Sequence, residues 1–274
     1  MLMRIEKRVY ELGQMNELTN VDGIVVGDEG CIYKVLDCRV KEIINVAVKN
    51  EMDIRLLTPF VPNKYVDTLF QRISEFAQLK KLKVVFNDYG MLHKCLDLIR
   101  EGRIEPVLGR ILTRSILDCP WSEDLLQNEE DSVAEGLLEF NFKHEEKWSV
   151  MEELQIREIE LNVPAIQKEI DFHIPNVKIT LHMENAIVSV GRVCFVARHA
   201  KIALPQCIES GVCDRKLYFE LLYKWKKNTS SYLEPEVEQK EIFQNMFLKG
   251  NIVYRRIPEK ERCQVIDNID GYII

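Results

Sequence analysis

The sequence predicts an α/β fold of the TIM-barrel type, and three observations support this class. Short runs of β-branched and aliphatic residues alternate with segments whose apolar residues recur about every 3.6 positions. Strands separated by helices of this length imply right-handed crossovers and therefore a parallel sheet. The chain has 274 residues, which is close to the roughly 250 residues of one such barrel. We therefore expect a single barrel-like domain over residues 1–274.

The first half of the chain contains the clearest strand–helix units. The earliest strand is DGIVVGD, which begins at Asp22, and the amphipathic helix CRVKEIINVAVKN follows it. The next units repeat this order, and a further strand ends at Gly109: DIRLLTP with VDTLFQRISEFAQL, LKVVFND with GMLHKCLDLIRE, and then IEPVLG. An acidic, tryptophan-containing stretch over 112–150 interrupts the pattern. We interpret this stretch as a partly helical insertion outside the barrel.

The second half of the chain departs from a regular eightfold repeat. The pattern resumes after Arg157 with IREIELN, VPAIQKEIDFH and VKITLHM, and the short run AIVSVG follows. Residues 214–274 contain KLYFELLYKW and NMFLKGNIVYRRI, which resemble hairpin strands, so we interpret this region as a β-rich C-terminal extension. Because the extension adds no strand–helix unit, the sequence leaves open whether the barrel is closed, incomplete or distorted.

Composition and charge exclude several classes of protein. Hydrophobic residues make up 46% of the chain and charged residues 30%, a balance that favours a folded core over a disordered chain. The net charge of −7 gives no overall attraction to phosphate backbones, so we expect no nucleic-acid partner. No secretory signal and no run of about 18 apolar residues is present. We expect a cytoplasmic protein without a membrane span, in which the eight cysteines are thiols or metal ligands.

Polar residues follow the predicted strands at the positions where the loops of a barrel carry function. They are Gly27, Asp28, Glu29 and Cys31; Asn87 and Asp88; Gly109 and Arg110; Asn162; Met183 to Asn185; and Arg192 and Cys194. Signatures of other enzyme classes do not occur in the sequence, which has no H-E-x-x-H pair, nucleophile elbow or glycine-rich phosphate loop.

The cysteines are the most specific candidates for a metal site. Cys194, Cys207 and Cys213 lie within one stretch, and their spacing is too wide for the paired C-x2-C knuckles of a zinc ribbon. Three thiolates on one loop can hold an iron–sulfur cluster if a fourth comes from elsewhere, and Cys31 is suitably placed. Structural thiols and a zinc site remain alternatives. Cys38 and Cys95 fit packing positions on helices, His199 fits a solvated loop, and Cys119 and Cys263 have no assigned role.

Five segments of the chain, taken in order, resemble peptidase family U-32, the collagenase-like peptidases. These segments are VVGDEGC, VVFNDYGML, PVLGRILT, EIELNVPA and VGRVCFVAR, and the resemblance extends from about Asp22 to Asp214. Within the family, the chain is most similar to short members of the oxygen-independent ubiquinone-hydroxylation type. The resemblance implies a barrel-like fold and a four-iron four-sulfur cluster on Cys31, Cys194, Cys207 and Cys213.

The resemblance also implies a class of reaction. Family members with assigned roles hydroxylate a quinone precursor or an RNA base without oxygen, with prephenate as a small acidic co-substrate, and a second family member can be the partner subunit. Binding such an acid requires cationic and amide donors, for which Asn87, Arg110 and Arg192 are the candidates and Arg198 lies nearby. A collagenase-like peptidase and a non-catalytic partner subunit that carries the cluster are the alternatives.

Overall fold

Eight parallel strands form a closed barrel in the computed structural model of this protein. The structure describes residues 3–115, 118–119, 122, 126, 129–137, 142, 145–164, 174–218, 245–262 and 269–274. The barrel strands are β1 (Arg4–Arg8), β2 (Gly23–Gly27), β3 (Asp53–Leu57), β4 (Leu82–Phe86), β5 (Ile104–Leu108), β6 (Glu158–Asn162), β7 (Lys178–His182) and β12 (Gly271–Ile273). Their order around the barrel is β1-β12-β7-β6-β5-β4-β3-β2. The prediction of an α/β barrel is confirmed.

The two ends of the chain close the barrel. Strand β12 pairs in parallel with β1, with Arg4 opposite Gly271, and also with β7, with His182 opposite Ile273. Strand β1 in turn pairs with β2. The sequence analysis identified neither closing strand, because β12 has three residues and β1 is the strongly charged segment RIEKR. Closure, which the sequence left open, therefore depends on short strands whose pairing is entirely non-local.

Helices of the first half of the chain pack against the outer surface of the barrel. The helices among the described residues are α1 (Ile32–Leu36), α2 (Cys38–Lys49), α3 (Val66–Leu79), α4 (Tyr89–Lys94), α5 (Leu96–Arg100), α6 (Asp131–Leu137), α7 (Glu145–Glu153), α8 (Phe195–His199) and α9 (Glu259–Arg262). Helix α2 buries Ile43 and Ile44, and α3 buries Ile73 and Phe76, in one apolar cluster with the outward residues of the strands. Among the described helices, none has the length and apolar character needed to cross a membrane.

The inside of the barrel is divided into an apolar part and a charged part. Val25, Leu57, Val85, Val107 and Ile273 form one buried apolar cluster. Glutamates from β1 and β6 surround the guanidinium of Arg55, which is 1% exposed and pairs with Glu6, Glu158 and Glu160. Burial of four such groups is tolerated because each charge has an oppositely charged partner.

A second, antiparallel sheet has the strand order β8-β11-β10-β9. Its strands are β8 (Asn185–Val190), β9 (Leu217–Tyr218), β10 (Met246–Lys249) and β11 (Ile252–Arg256), and β10 and β11 form a hairpin through Gly250 and Asn251. The predicted β-rich character is confirmed for the described residues of 214–274, although the same region also supplies β12 to the barrel. The described residues of the 112–150 stretch include α6 and part of α7, between β5 and β6 in chain order.

Candidate functional site

A cavity of about 170 Å³ opens at the carboxyl-terminal mouth of the barrel. The residues around it come from β1, from the loops after β2, β5 and β7, from the hairpin and from the chain end. They are Arg8, Tyr10, Asp28, Arg110, His182, Glu184, Asn185, Lys216, Phe247, Lys249, Tyr254, Ile273 and Ile274. The position corresponds to the face on which TIM-barrel enzymes carry their active sites.

Glu29 is the buried anion at the base of this mouth. Its carboxylate accepts hydrogen bonds at 2.8 Å from Nε and Nη2 of Arg110, and Nη2 of Arg8 lies 2.9 Å from it. Burial alone would raise the pKa of Glu29, but the positive charges of Arg110 and Arg8 hold it well below its usual range. Glu29 is therefore ionised and holds both guanidinium groups in place.

The loop after β2 has the local sequence that Glu29 requires. Gly27 adopts a φ of +92°, and a side chain there would collide with the carbonyl oxygen of Leu57. The carboxylate of Asp28 then accepts from the backbone N–H groups of Gly30 at 2.8 Å and Cys31 at 2.9 Å. This turn directs Glu29 into the barrel and carries Cys31 to the start of α1.

His182 joins the mouth to the charged interior of the barrel. Its Nε2 lies 2.7 Å from Oε2 of Glu160, and its Nδ1 lies 3.4 Å from Nη2 of Arg8. Burial, followed by the positive charge of Arg110, lowers the pKa of His182 to about 4. Because a guanidinium only donates hydrogen bonds, Nδ1 is the acceptor and Nε2 carries the proton. His182 is neutral in this arrangement.

Glu29, Glu160 and His182 bring three potential ligand atoms within 4.8 Å of one another. Both carboxylates, however, are already paired with guanidinium groups, Glu29 with Arg8 and Arg110 and Glu160 with Arg55. A divalent cation there would lie among three buried positive charges, which disfavours its binding. The arrangement is that of an ion-pair network.

Cysteines from the 194–213 stretch form a separate cluster beside the mouth. Cys207 and Cys213 are buried together with Ala197, and Cys194 packs against them at the start of α8. Burial, together with a hydrogen bond between the two thiols, raises the pKa of Cys213 to about 12. Lys34, which follows Cys31 on α1, lies 3.3 Å from Asp214, the residue next to Cys213. The loop of Cys31 therefore neighbours the segment that carries Cys207 and Cys213.

A backbone N–H group points at one of these sulfur atoms, because the amide of Ala197 donates to Sγ of Cys194 at 3.4 Å. The amides of Tyr33 and Lys34 lie near the sulfur of Cys31 and favour its thiolate form. Burial, with the negative charge of Asp28, nevertheless raises the pKa of Cys31 to about 12. Hydrogen bonds from backbone amides to sulfur are a feature of sites that hold thiolate ligands.

The tip of the β10–β11 hairpin holds the two cysteine segments together. Asn251 donates from its side chain to the carbonyl of Gly191 at 2.7 Å, and the amide of Phe195 donates to the carbonyl of Gly250 at 3.0 Å. On the other side, a side chain at Gly30 would collide with Asn251. The cysteines also lie close to the cavity. Lys249 of the hairpin lines the cavity, and Tyr10, which follows β1, borders both the cavity and a crevice at Cys213.

The three predicted substrate-binding residues have different environments. Arg110 lines the cavity. Asn87 is buried, and its amide donates to Thr58 at 2.9 Å and accepts from Ile111 at 3.0 Å, so it organises the loop beside the mouth. Arg192 is exposed and is not among the residues that line the cavity, and Arg198 and His199 are exposed as well.

The remaining cysteines differ in how deeply they are buried. Cys95 is fully buried in the apolar core, which confirms its packing role. The expectation that Cys38 is buried is wrong, because it begins α2 and is exposed. Cys119 is partly buried, and Cys263 lies outside the described residues.

Sequence reasoning missed several residues of the cavity. Arg8 lies on a strand that was not recognised, and Lys216, Lys249 and Tyr254 belong to the region interpreted as an extension. His182 had a usable signal, because it lies next to the end of the predicted strand VKITLHM, at the carboxyl end that forms the mouth.

Comparisons with known proteins identify no family for this chain. No family model matches the sequence, and no curated protein matches it. A solved structure named the U32 peptidase Mk0906 is similar over 100% of this chain and 92% of its own, with 13% sequence identity and a TM-score of 0.42. A similarity this distant establishes neither family membership nor function.

Proposed function

We propose that this chain is an iron–sulfur protein that binds a small carboxylic acid beside its cluster and acts as an oxygen-independent hydroxylase or as a subunit of one. The observation that carries the proposal is the proximity of two sites at one face of the barrel. Cys194, Cys207 and Cys213 lie together, the loop of Cys31 neighbours them, and a cavity lined by cations opens beside them.

The residues present fit a four-iron four-sulfur cluster. Cys31, Cys194, Cys207 and Cys213 would supply the four thiolates that such a cluster requires. Three of them belong to or contact one apolar cluster, and the amide of Ala197 donates to the sulfur of Cys194. When bound, the cluster would supply electron transfer. Zinc on the same thiols is the alternative cofactor.

The charges around the cavity favour an anionic ligand. Arg8, Arg110, Lys216 and Lys249 line it, whereas the lining carboxylates are Asp28 and Glu184, with Glu29 behind them. Among the described residues, neither lysine lies within salt-bridge distance of a carboxylate; each lies over an aromatic ring, Lys216 over Phe247 and Lys249 over Tyr10. These two cations can bind the carboxylate groups of an acid such as prephenate.

The test of the cluster is metal analysis of anaerobically purified protein. We expect iron and sulfide in equal amounts and a brown colour from charge-transfer absorption. Replacing Cys194, Cys207 or Cys213 by Ala should lower the iron content. Cys38→Ala is the matched control, because this exposed cysteine belongs to another helix. Unchanged iron in all the loop variants would contradict the assignment, as would zinc without visible absorption.

The test of the acid site is binding of prephenate to the anaerobic protein. Arg8→Met and Lys249→Met should each weaken binding, by about 1.5 to 3 kcal/mol for a lost charge-assisted hydrogen bond. Arg192→Met serves both as the control and as a test of the sequence prediction, because Arg192 is exposed away from the cavity. Cleavage of gelatin without metal would instead favour the peptidase alternative. Co-purification of a second, related subunit that is needed for hydroxylation would favour the subunit role.

A further inference from the structure

We propose that the mouth cavity binds its carboxylate ligand together with a proton, and that His182 holds this proton at Nδ1. The inference rests on the proposed acid site and adds a role for a histidine that the site otherwise leaves unused. It concerns only residues at the mouth and does not depend on the cysteines.

The hydrogen bonds of His182 show why a second proton is excluded without a ligand. Nε2 donates to Glu160 at 2.7 Å, and Nδ1 accepts from Arg8 at 3.4 Å. A proton on Nδ1 would place an N–H donor directly against the N–H donor of Arg8. The length of the Arg8 contact also makes it weak and easily exchanged for a better one.

A bound carboxylate would remove this obstacle. An oxygen atom between Arg8 and His182 can accept one hydrogen bond from each, so protonated His182 gains a charge-assisted partner. On the opposite side of the ring, Glu160 already accepts from Nε2 and is held by Arg55 at 3.1 Å. The added negative charge stabilises the imidazolium and raises the pKa of His182 from its value of about 4.

The charged groups that face His182 come from four elements. Arg8 of β1 and Arg110 after β5 disfavour the imidazolium, whereas Glu160 of β6 and Glu29 after β2, 3.8 Å away, favour it. Across the cavity lie Tyr10, Asp28, Glu184, Lys216, Lys249 and Tyr254. Burial, followed by the negative charges of Glu29 and Asp28, raises the pKa of Tyr254 well above its usual range. Tyr254 therefore stays protonated and does not compete for this proton.

Asp118 is a second group that could take up a proton when the carboxylate binds. It is buried, and burial raises its pKa to about 6, against the opposing charges of Arg114 and Arg110. An anion near Arg110 would raise this pKa too, so Asp118 could also take up a proton on binding. The experiment therefore requires an Asp118→Asn variant alongside the His182 variant.

The sign of the pH dependence follows from linkage. Binding raises the pKa of His182. Protons are therefore taken up on binding at pH values that lie between the pKa of the free state and the pKa of the bound state. The affinity for the carboxylate should therefore rise as the pH falls, by up to about tenfold per pH unit for one proton. It should become independent of pH above the pKa of the bound state.

The experiment is isothermal titration calorimetry with phenylpyruvate as the probe, between about pH 5.5 and 8, where its carboxylate stays ionised. Titrations in two buffers of different ionisation enthalpy give the number of protons taken up. We expect uptake in the wild type and in Asp118→Asn, and none in His182→Gln, whose amide can still donate to Glu160. His93→Gln is the matched control, since His93 is exposed on α4.

The outcomes test the role of His182 and the acid site separately. Binding without proton uptake, or equal uptake by wild type and His182→Gln, overturns the role of His182 but leaves the acid site intact. Loss of uptake in Asp118→Asn alone assigns the proton to Asp118 and likewise overturns it. Failure of the wild type to bind either phenylpyruvate or prephenate overturns the acid site, and the inference with it.

Discussion

Arg55 is the residue on which the charged interior of the barrel depends. It pairs with Glu6, Glu158 and Glu160, and Lys83 shares Glu158 with it. Burial raises the pKa of Glu158, but the charges of Arg55 and Lys83 outweigh this effect and bring it down to about 2. Glu158 therefore remains ionised at neutral pH, and Glu160, which also pairs with Arg55, lies 2.7 Å from Nε2 of His182 and orients it.

Removal of Arg55 should be strongly destabilising. Arg55→Met leaves three buried carboxylates with fewer positive partners, and we expect a loss of about 3 to 5 kcal/mol in the free energy of unfolding. Urea denaturation measures this loss. In the control, Lys81→Met, an exposed pair with Glu105 is removed, and the loss should stay below about 1 kcal/mol. Equal losses in the two variants would contradict the proposed importance of the buried network.

The neutral state of His182 should be visible in the pH dependence of stability. Its pKa is about 4 in the folded protein against an ordinary value of 6.5, so the unfolded chain binds the proton more readily. This contribution is complete above pH 6.5 and is lost as the pH falls to about 4, a change on the order of 3 kcal/mol. His182→Gln should flatten the stability profile over this window and His93→Gln should not. An unchanged profile in His182→Gln would show that another group titrates there.

At the level of single residues, the sequence offered candidate thiols but few residues of the cavity. Cys31, Cys194, Cys207 and Cys213 stand out through their spacing and the resemblance to a known family, and their role as ligands remains a prediction. Arg8, Lys216 and Lys249 were not identified, because isolated cations on a chain with 37 lysines and arginines carry no local signal. Only the fold shows that they surround one cavity.

The β10–β11 hairpin is the element that joins the two halves of the candidate site. Its tip contacts Gly30 on one side and Gly191 and Phe195 on the other. The sequence predicted the hairpin strands, but their pairing with β8 and their contact with the cysteine loops are non-local and left no pattern. The glycine at position 30 is a local trace of this contact.

A side chain at Gly30 should disturb the site without removing a thiol. Gly30→Ala would force the hairpin tip away from the loop of Cys31, and we expect a loss of about 1 to 3 kcal/mol in stability. The iron content of the anaerobic protein should fall as well, because the position of Cys31 changes. Gly13→Ala is the control, since an added methyl group there meets no atom within 4 Å. Full iron content in Gly30→Ala would argue against Cys31 as a ligand.

Closure of the barrel is a property of the whole molecule, because strands from the two ends of the chain form it. Strand–helix alternation predicted the fold class and β2 to β7 in outline. It could not predict closure, because β12 becomes a strand only through pairing with β1 and β7. Its Ile273 completes the apolar part of the interior together with Val25 and Leu57.

The contribution of β12 can be measured with two neighbouring isoleucines. Ile273→Ala removes a side chain that is 2% exposed and should cost about 2 to 5 kcal/mol. Ile274→Ala alters a side chain that is 43% exposed and should cost much less. Thermal denaturation followed by circular dichroism compares the two. Similar losses would mean that the barrel does not depend on its last strand.

We propose that four cysteines beside the mouth of this barrel hold one iron–sulfur cluster. The most direct measurement is the Mössbauer spectrum of protein prepared anaerobically with ⁵⁷Fe, together with an iron and sulfide count on the same sample. We predict that nearly all the iron belongs to one four-iron cluster per chain, and that Cys207→Ala loses this signal while Cys38→Ala keeps it. Isolated iron without sulfide, or a protein that retains only zinc, would contradict the claim.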